Sequence, residues 1–249
     1  MFKGIDVSKW NGNIDWDAVA PNIDFAIIRA GAGKTVDKTA RKNLEACEKR
    51  GIPYGAYWFS YAGSVENAEK EAEACYNTIK EFSPFMGVFF DFEYASVEYA
   101  RGKGVKITSE LVNDMAVGFC EKIQKLSDFQ AGIYTNLNYM NKYWEKETLA
   151  KYLIWYARYN SEPGVYGWDL WQYSSVGKIP GIIGKVDLNY SMKLRKGGLM
   201  TKYFTDLEKL VLEIVQGKYG NGSQRKKALK EKGYDYSFVQ SIVNDYLKH

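Results

Sequence analysis

Gly87-Val88-Phe89-Phe90-Asp91-Phe92-Glu93-Tyr94 is an apolar, strand-like run that ends in two closely spaced carboxylates. Residues two apart in a β-strand point to the same face, so the Asp91 and Glu93 side chains are predicted to lie together, with Cα atoms ~6–7 Å apart. Val88, Phe90 and Phe92 would then face a hydrophobic layer. The segment therefore predicts a buried strand that carries two acids at its C-terminal tip.

Seven further strand-like runs surround this segment, and helix-like segments separate the early ones. The eight predicted strands span residues 4–7, 25–30, 53–59, 87–92, 130–135, 152–157, 169–173 and 185–188. The predicted helices span residues 39–50, 65–82 and 109–126. Strands that alternate with helices favour a parallel barrel, but the later connections are too short for full helices. We expect an irregular TIM-like β/α barrel, with several outer helices missing, over residues 1–194.

The C-terminal ends of barrel strands carry the active site in this fold class, and four acids fall there. They are Asp6, Asp91, Glu93 and Asp187. Asp6 and Asp187 end the first and last predicted strands, which become neighbours when a barrel closes. The other candidate site residues lie near strand ends, where they could bind a sugar or fill the core; they are Arg29, Tyr57, Tyr134, Asn136, Trp155, Trp171 and Gln172.

Three interpretations compete for Asp91 and Glu93. The pair could bind a divalent metal through oxygen ligands, or it could be a structural pair that caps the barrel. It could instead cleave a glycosidic bond, a reaction that needs one protonated and one ionised carboxyl group. In that case burial and proximity raise one pKa, and Glu93, which reaches farther into the cleft, is the better acid. Asp91, Asp6 and Asp187 would supply negative potential.

The composition removes several other chemistries. His249, at the C-terminus, is the only histidine, which excludes histidine-based triads and histidine-ligated zinc. Glycine-rich nucleotide-binding motifs are absent. The three cysteines, Cys47, Cys75 and Cys120, form no C-x-x-C pair and are expected to be buried thiols. We therefore expect neither a cofactor nor a metal. Met1 leads directly into a strand, with no signal peptide and no apolar stretch of transmembrane length.

The last quarter of the chain differs from the rest. Residues 195–203 contain a Gly-Gly pair and are predicted to be a linker, and residues 204–249 to be a small three-helix module. From Leu194 to His249 there are 11 Lys and Arg against 6 Asp and Glu, a net charge of +5, whereas the remainder carries 23 bases and 24 acids. A basic module on a neutral body suggests a polyanionic target surface.

These motifs together resemble glycoside hydrolase family 25, the lysozymes of many bacteriophages and Gram-positive bacteria. The resemblance runs from about Lys3 to Tyr190 and includes Asp91-Phe92-Glu93 as the family's D-x-E. Its other motifs are Gly4-Ile5-Asp6-Val7-Ser8-Lys9-Trp10-Asn11-Gly12, Ile14-Asp15-Trp16, Phe25-Ala26-Ile27-Ile28-Arg29-Ala30-Gly31, Gly51-Ile52-Pro53-Tyr54-Gly55-Ala56-Tyr57, Trp171-Gln172-Tyr173 and Val186-Asp187-Leu188-Asn189. Trp58 departs from the pattern, because the family often has His after the strand-three Tyr.

The resemblance implies an N-acetylmuramidase that cuts the β-1,4 bond between N-acetylmuramic acid and N-acetylglucosamine. It implies Glu93 as the acid and Asp91 as the charge stabiliser or nucleophile, with Asp6 and Asp187 around them. Bacterial peptidoglycan is then the expected partner, rather than nucleic acid or a membrane. A non-catalytic glycan-binding barrel and a chitinase-like hydrolase remain as alternatives.

The C-terminal module resembles a single cell-wall-binding repeat of phage lysins. The resembling residues include Gly217-Lys218-Tyr219-Gly220-Asn221-Gly222 and Gly233-Tyr234-Asp235-Tyr236. Together the two parts suggest a phage endolysin that stays in the host cytoplasm until the membrane is permeabilised. A further hypothesis is an internal translation start at Met200, since Arg195-Lys196-Gly197-Gly198 could be encoded by a purine-rich ribosome-binding sequence. The free module could then associate with the full-length chain.

Overall fold

A computed structural model describes residues 1–165, 167–191, 210–211, 213–232, 234, 236, 239–240 and 243–244. The described residues fall into two compact units, one within 2–195 and one within 196–249. The boundary predicted at residue 194 and the linker predicted at 195–203 fall among residues 192–209, outside the described residues. Both therefore stay predictions.

Eight strands of the first unit close into a barrel, and a ninth short strand extends it. The strands are β1 Phe2–Val7, β2 Phe25–Ala32, β3 Thr35–Val36, β4 Tyr54–Phe59, β5 Val88–Asp91, β6 Ala131–Asn136, β7 Leu153–Ala157, β8 Leu170–Gly177 and β9 Val186–Ser191. Their order is β1-β9-β8-β7-β6-β5-β4-β2, and pairing of β1 with β2 completes the circle, while β3 folds back on β2 as a hairpin. All eight predicted strands, and the TIM-like barrel, are confirmed.

The last strand runs against its neighbours. β9 pairs antiparallel with both β1 and β8, whereas the pairs from β1 through β2 and β4 to β8 are parallel. The expectation that Asp187 ends a parallel strand is wrong, because Asp187 is the second residue of β9. The reversed direction still brings it to the predicted place, since Asp187 is the register partner of Asp6.

Helices cover the first half of the barrel more fully than the second half. They are α1 Trp16–Val19, α2 Ala40–Arg50, α3 Val65–Ile79, α4 Tyr94–Gly102, α5 Ser109–Leu126, α6 Leu137–Lys142 and α7 Lys146–Lys151. α2, α3 and α5 are the three predicted helices, and Ser64 and Thr108 cap α3 and α5 through their side chains. α6 and α7 are six residues each. Within the described ranges, the helices are too short or too polar to cross a membrane.

Each barrel strand faces two hydrophobic layers. Phe90 and Phe92 pack in an outer layer between the strands and the helices, together with the three buried cysteine thiols. Phe89 points inward and packs with Trp155 in a smaller cluster that fills the barrel. Gly132 makes room for this cluster, because a Cβ at that position would lie 2.5 Å from the Phe89 ring. Asp91 lies two residues after Phe89 on the same strand face, at the end of β5.

The second unit has its own small core. Helix α8 spans Ser223–Glu231, and the described residues near 210–215 and 239–244 are helical. Six buried apolar side chains form this core: Leu210, Val211, Ile214, Leu229, Val239 and Val243.

Candidate active site

A cavity of about 420 Å³, termed here the acidic cavity, opens at the C-terminal end of the parallel barrel strands. It is lined by four carboxylic acids and by five of the predicted substrate-binding residues: Asp6, Asp91, Glu93, Asp187, Arg29, Tyr57, Tyr134, Trp155 and Gln172. Strand pairing explains the convergence, because Asp6 lies opposite Asp187 and Asp91 lies opposite Tyr134 in the register of the sheet. The structure thus brings nine of the predicted residues to one place.

Two predicted residues are not among those that line the acidic cavity. Trp171 packs in an outer cluster with Ile154 and Tyr156, because its neighbour Gln172 takes the inward position on β8. Asn136 ends β6, and its side chain accepts a hydrogen bond from the Tyr139 amide at the start of α6. The prediction that these two residues bind substrate is therefore corrected, since one fills the outer core and the other caps a helix.

The acid pair spans the junction between a strand and a helix. Asp91 is the last residue of β5, whereas Glu93 lies beyond the strand and is the N-cap of α4. The backbone amide of Glu93 donates to Ser96 Oγ at 3.0 Å, which anchors this residue to the first turn of α4. The two carboxyl groups share a hydrogen bond. The predicted adjacency holds, although it comes from a strand-to-helix junction and not from a continuous strand.

Burial favours the protonated forms of Asp91 and Glu93. Burial raises the pKa of Asp91 well above its usual range, and the nearby charges of Glu93 and Asp6 raise it further. Burial also raises the pKa of Glu93, while the hydrogen bond from Asp91 lowers it and the charge of Asp187 raises it. Asp91 is 4% exposed and Glu93 is half-buried. Burial and the neighbouring charges therefore favour a protonated carboxyl group in this pair, beside an open cavity.

A second carboxyl pair faces the first. Burial and the neighbouring Asp187 charge raise the pKa of Asp6 to about 8. Burial likewise raises the pKa of Asp187, although its hydrogen bond with Asp6 lowers it. Asp6 Oδ2 accepts hydrogen bonds from Asn189 Nδ2 at 2.7 Å and from Gln172 Nε2 at 2.8 Å. These two amides fix the orientation of the Asp6 carboxyl group.

The amides that hold Asp6 belong to a longer hydrogen-bonded network. Gln172 Oε1 accepts from the hydroxyl groups of Tyr134 at 2.8 Å and Tyr159 at 3.1 Å. Asn189 Oδ1 accepts from the indole Nε1 of Trp155 at 2.8 Å. The sequence prediction missed Asn189 and Tyr159. A signal existed for Asn189, because it is two residues beyond Asp187 and shares its strand face. Tyr159 lies in the loop after β7 and had no such signal.

Arg29 is held by a carboxylate that the sequence did not point to. Its guanidinium contacts Asp37 Oδ2 through Nε and Nη2, both at 2.7 Å. Burial would raise the pKa of Asp37, but hydrogen bonds from the Lys9 and Thr39 amides and from Arg29 lower it below its usual value. Asp37 follows the short hairpin strand β3, a position with no strand-end signal. Arg29 therefore contributes a fixed positive charge at the cavity wall.

An exposed aromatic ring stands at the rim of the acidic cavity. Trp10 lines the cavity and is 79% exposed, with Lys9 Nζ 4.9 Å from the ring centroid. The Asn11 side chain donates to the Lys185 carbonyl at 3.3 Å, which ties the Trp10 turn to the segment before β9. A site with acids at its base and aromatic rings at its wall suits a sugar, whose ring faces stack on aromatic groups and whose hydroxyls donate to carboxylates.

Within the described residues, no group of three or more His, Cys, Asp or Glu side chains has the arrangement of a metal site. Asp91 Oδ1 is buried and has no hydrogen-bond partner among those residues. Buried acceptors are usually satisfied. Asp91 Oδ1 is an exception, and it belongs to a residue that lines the acidic cavity.

Two family models match the chain. The model of glycosyl hydrolases family 25 matches residues 5–182, a range that contains Asp6, Asp91 and Glu93 and ends just before Asp187. The model of the CW_7 repeat matches residues 208–247, in the second unit.

Individual proteins that are similar to this chain agree with the family match. Lysozyme M1 of Streptomyces globisporus is 28% identical over 201 residues, which cover 75% of this chain and 66% of the lysozyme. The modular autolysin LytC from Streptococcus pneumoniae has the same fold, with a TM-score of 0.67 and 24% identity over 76% of this chain. This chain spans less than half of LytC, 46% of its length. The CTP1L endolysin shares the fold over 100% of this chain and 99% of its own, with a TM-score of 0.67 and 20% identity.

The family match covers well over half of the chain and includes three of the four acids of the cavity. The eight-stranded barrel closes with an antiparallel last strand. Its four acids line a cavity at the C-terminal end of the parallel strands, where barrel enzymes bind substrate. The chain therefore belongs to glycosyl hydrolases family 25.

Proposed function

We propose that this chain is a peptidoglycan hydrolase that cuts the β-1,4 bond between N-acetylmuramic acid and N-acetylglucosamine. The observation that carries the proposal is the hydrogen-bonded pair of carboxyl groups, Asp91 and Glu93, in a cavity that Asp6 and Asp187 also line. Glycosidic cleavage needs one protonated and one ionised carboxyl group, and burial favours the protonated form here. The 28% identity to a lysozyme supports the choice of substrate.

The proposed reaction uses the two acids in different roles. Glu93 is the more exposed member and donates the proton to the glycosidic oxygen as the bond from carbon to oxygen breaks. The proton passes to Glu93 through its hydrogen bond with Asp91, so Asp91 becomes negatively charged as the sugar carbon becomes positive. A water molecule then supplies hydroxide to that carbon and returns a proton to the pair. Asp6 and Asp187 add to the negative potential. The positive charge of Arg29 offsets part of the repulsion among the carboxyl groups.

The contact between the two carboxyl groups also supports retention of configuration. Inverting enzymes hold their carboxyl groups ~6.5–9.5 Å apart to admit a water, whereas retaining enzymes bring them closer. Hydrogen-bonded groups such as Asp91 and Glu93 lie closer together than the inverting spacing, which supports the second class. Proton NMR of the first product, recorded before mutarotation, is expected to show the β-anomer; an α-anomer would contradict this assignment.

Product analysis tests the substrate assignment. Purified peptidoglycan and chitin are incubated with the enzyme, and the new reducing ends are reduced with borohydride and identified. We expect reduced N-acetylmuramic acid from peptidoglycan and little release from chitin. Reduced N-acetylglucosamine from either polymer would indicate a different glycosidase, and no release from either would indicate a binding protein.

We propose that the second unit anchors the enzyme to the wall. Its match to the CW_7 repeat and its excess of basic residues support this role. As part of the same proposal, the protein acts as a phage endolysin, made in the host cytoplasm and released when the membrane is permeabilised. The likeness to the CTP1L endolysin along both chains supports the domain order. Fractionation of host cells before and after permeabilisation tests the location.

We propose, finally, that the second unit self-associates with a shorter product that starts at Met200. The CTP1L endolysin is described as regulated by a secondary translation product. Met200 itself lies outside the described residues. Mass spectrometry of the expressed protein is expected to find a chain that begins at Met200, and Met200→Leu is expected to abolish it. Absence of the short chain from the wild-type product would end this proposal.

A further inference from the structure

A second cavity of about 790 Å³ lies on the same unit and is termed here the lateral cavity. It lies between the β2–β3 turn, the loop after β4, and helices α3 and α4. The residues used below are Lys34, Tyr61, Lys70, Glu71, Tyr99 and Lys103. Its volume falls in the range of about 300–1,000 Å³ in which proteins bind small ligands. The proposed hydrolysis does not use it.

The lateral cavity has an ionisable group in its wall. Glu71 of α3 is 7% exposed, and its Oε1 accepts a hydrogen bond from the Tyr61 amide at 3.0 Å. Its Oε2 has no hydrogen-bond partner in the described part of the chain. Burial raises the pKa of Glu71 to about 7, although hydrogen bonds from Ser60 and Tyr61 oppose the rise. The Oε2 atom is buried, so Glu71 forms part of the cavity wall and is not a group that a ligand contacts directly.

The rim of the lateral cavity is positively charged. Lys34, Lys70 and Lys103 are all exposed there. Lys70 pairs with Glu66 at 2.6 Å, and Lys103 Nζ lies 5.7 Å from the centroid of the Tyr99 ring. Even with the Lys70–Glu66 pair counted as neutral, the rim carries two positive charges over a partly protonated acid. The rim therefore favours a ligand with free anionic groups.

Aromatic rings connect the lateral cavity to the acidic cavity. Phe59 lines the acidic cavity, and its ring centroid lies 5.2 Å from that of Tyr61. The Tyr61 centroid lies in turn 4.9 Å from that of Tyr99, which is 47% exposed. Phe59 thus lines the acidic cavity, whereas Tyr61 and Tyr99 line the lateral cavity. A branch of a glycan bound in the acidic cavity has a short path to the lateral cavity.

We propose that the lateral cavity binds a short peptide with free carboxylates, of the kind carried as a branch on the glycan cut in the acidic cavity. The proposal rests on the proposed function. Lysines at the rim pair with the peptide carboxylates, and the tyrosines cover apolar side chains. A polyol phosphate fits less well, since it has no apolar surface for the rings.

The test separates binding from hydrolysis. Soluble oligosaccharides of N-acetylglucosamine and N-acetylmuramic acid, with and without their peptide branch, are titrated calorimetrically into the Glu93→Gln variant. The free branch peptide and glycerol phosphate are titrated separately. We expect the peptide branch to tighten binding at least about tenfold. Lys34→Glu combined with Lys103→Glu removes that gain, and the free peptide shifts amide resonances around Glu71 and Tyr99.

A matched control keeps the charge change but moves it away from the cavity. Lys49→Glu combined with Lys125→Glu alters two other exposed lysines and is expected to preserve the tenfold gain. The proposal is overturned if the peptide branch brings no gain, if both double variants lose it equally, or if glycerol phosphate binds and the free peptide does not. The free peptide titration reports on the lateral cavity even if the wild-type protein hydrolyses no wall glycan. Lack of hydrolysis would contradict the proposed function and leave the peptide site to be decided by the titration.

Discussion

Carboxyl groups that would repel one another as anions are packed together at the base of the acidic cavity. Burial raises the pKa values of Asp6, Asp91 and Asp187. The charge of Asp187 raises the pKa of Asp6 further, and the charges of Glu93 and Asp6 raise that of Asp91. The arrangement costs folding free energy, because burial favours protonated carboxyl groups at a pH at which solvent-exposed ones would ionise. The amides of Gln172 and Asn189 hold the group in place. Such strain is characteristic of a catalytic site.

Asp187→Asn tests the electrostatic coupling at this site. The Asp187 charge raises the pKa values of Glu93 and Asp6, so removing that charge lowers both. An acid catalyst must be protonated, and a lower pKa means that the proton is lost at lower pH. The basic limb of the profile of kcat/KM against pH is therefore expected to move to lower pH. An unchanged limb, or one displaced to higher pH, would show that Asp187 does not act on the acid.

Glu71→Gln tests how burial of a carboxyl group affects stability. The Glu71 pKa is raised from 4.5 to about 7, which corresponds to about 3 kcal/mol at most. The folded state prefers the protonated form, so the wild-type protein loses stability as the pH rises from about 4.5 through about 7. The neutral variant does not. Urea unfolding at pH 5 and pH 8 is expected to show a stability gain of about 2 kcal/mol for Gln at pH 8 and little at pH 5; equal effects at both pH values would contradict this.

At the scale of elements, the sequence carried more information about strand faces than about strand direction. The strand alternation in Phe89, Phe90 and Asp91 predicted which side chains face the barrel, and the structure agrees. The direction of β9 was missed. Only residues 178–185 separate β8 from β9, and a parallel crossover needs a dozen or more residues, so the length of this connection was the signal.

Other parts of the site could not be predicted because they depend on distant contacts. Glu93 follows the strand and caps α4, and a D-x-E spacing fits a strand and a strand-to-helix junction equally well. Trp171 does not line the cavity, although it was assigned there. A shift of one position along a strand exchanges its two faces, so the sequence alone did not show whether Trp171 or Gln172 faces inward. Asp37 contacts Arg29 only after β3 folds back on β2.

Gly132→Ala tests the packing of the barrel interior. The added Cβ would lie 2.5 Å from the Phe89 ring and 2.9 Å from the Leu153 Cβ, so both must move. Overpacking of this kind is expected to cost about 1–3 kcal/mol in denaturant unfolding. Gly102→Ala is the matched control, since nothing lies within 4 Å of its added Cβ at the end of α4. The control should be neutral or stabilise by at most about 1 kcal/mol; similar losses in both variants would refute the packing account.

For the molecule as a whole, catalysis and wall attachment are expected to be separable. The barrel unit contains every residue of the acidic cavity, and the second unit has a separate apolar core and most of the excess positive charge. Proteins of residues 1–194 and 1–249 are therefore expected to hydrolyse soluble glycan fragments at similar rates. On intact walls the longer protein binds more tightly, and its advantage shrinks as salt rises. Equal wall binding in sedimentation assays would contradict the anchoring role.

The most direct measurement is the hydrolysis rate of purified peptidoglycan by Glu93→Gln beside Glu98→Gln, a neighbouring exposed glutamate on α4. Loss of the proton donor is expected to lower kcat by about 10²–10⁴-fold, while the variant still sediments with the wall. Glu98→Gln is expected to hydrolyse at the wild-type rate. A Glu93→Gln protein that released muramic acid ends as fast as wild type would contradict the account at its centre.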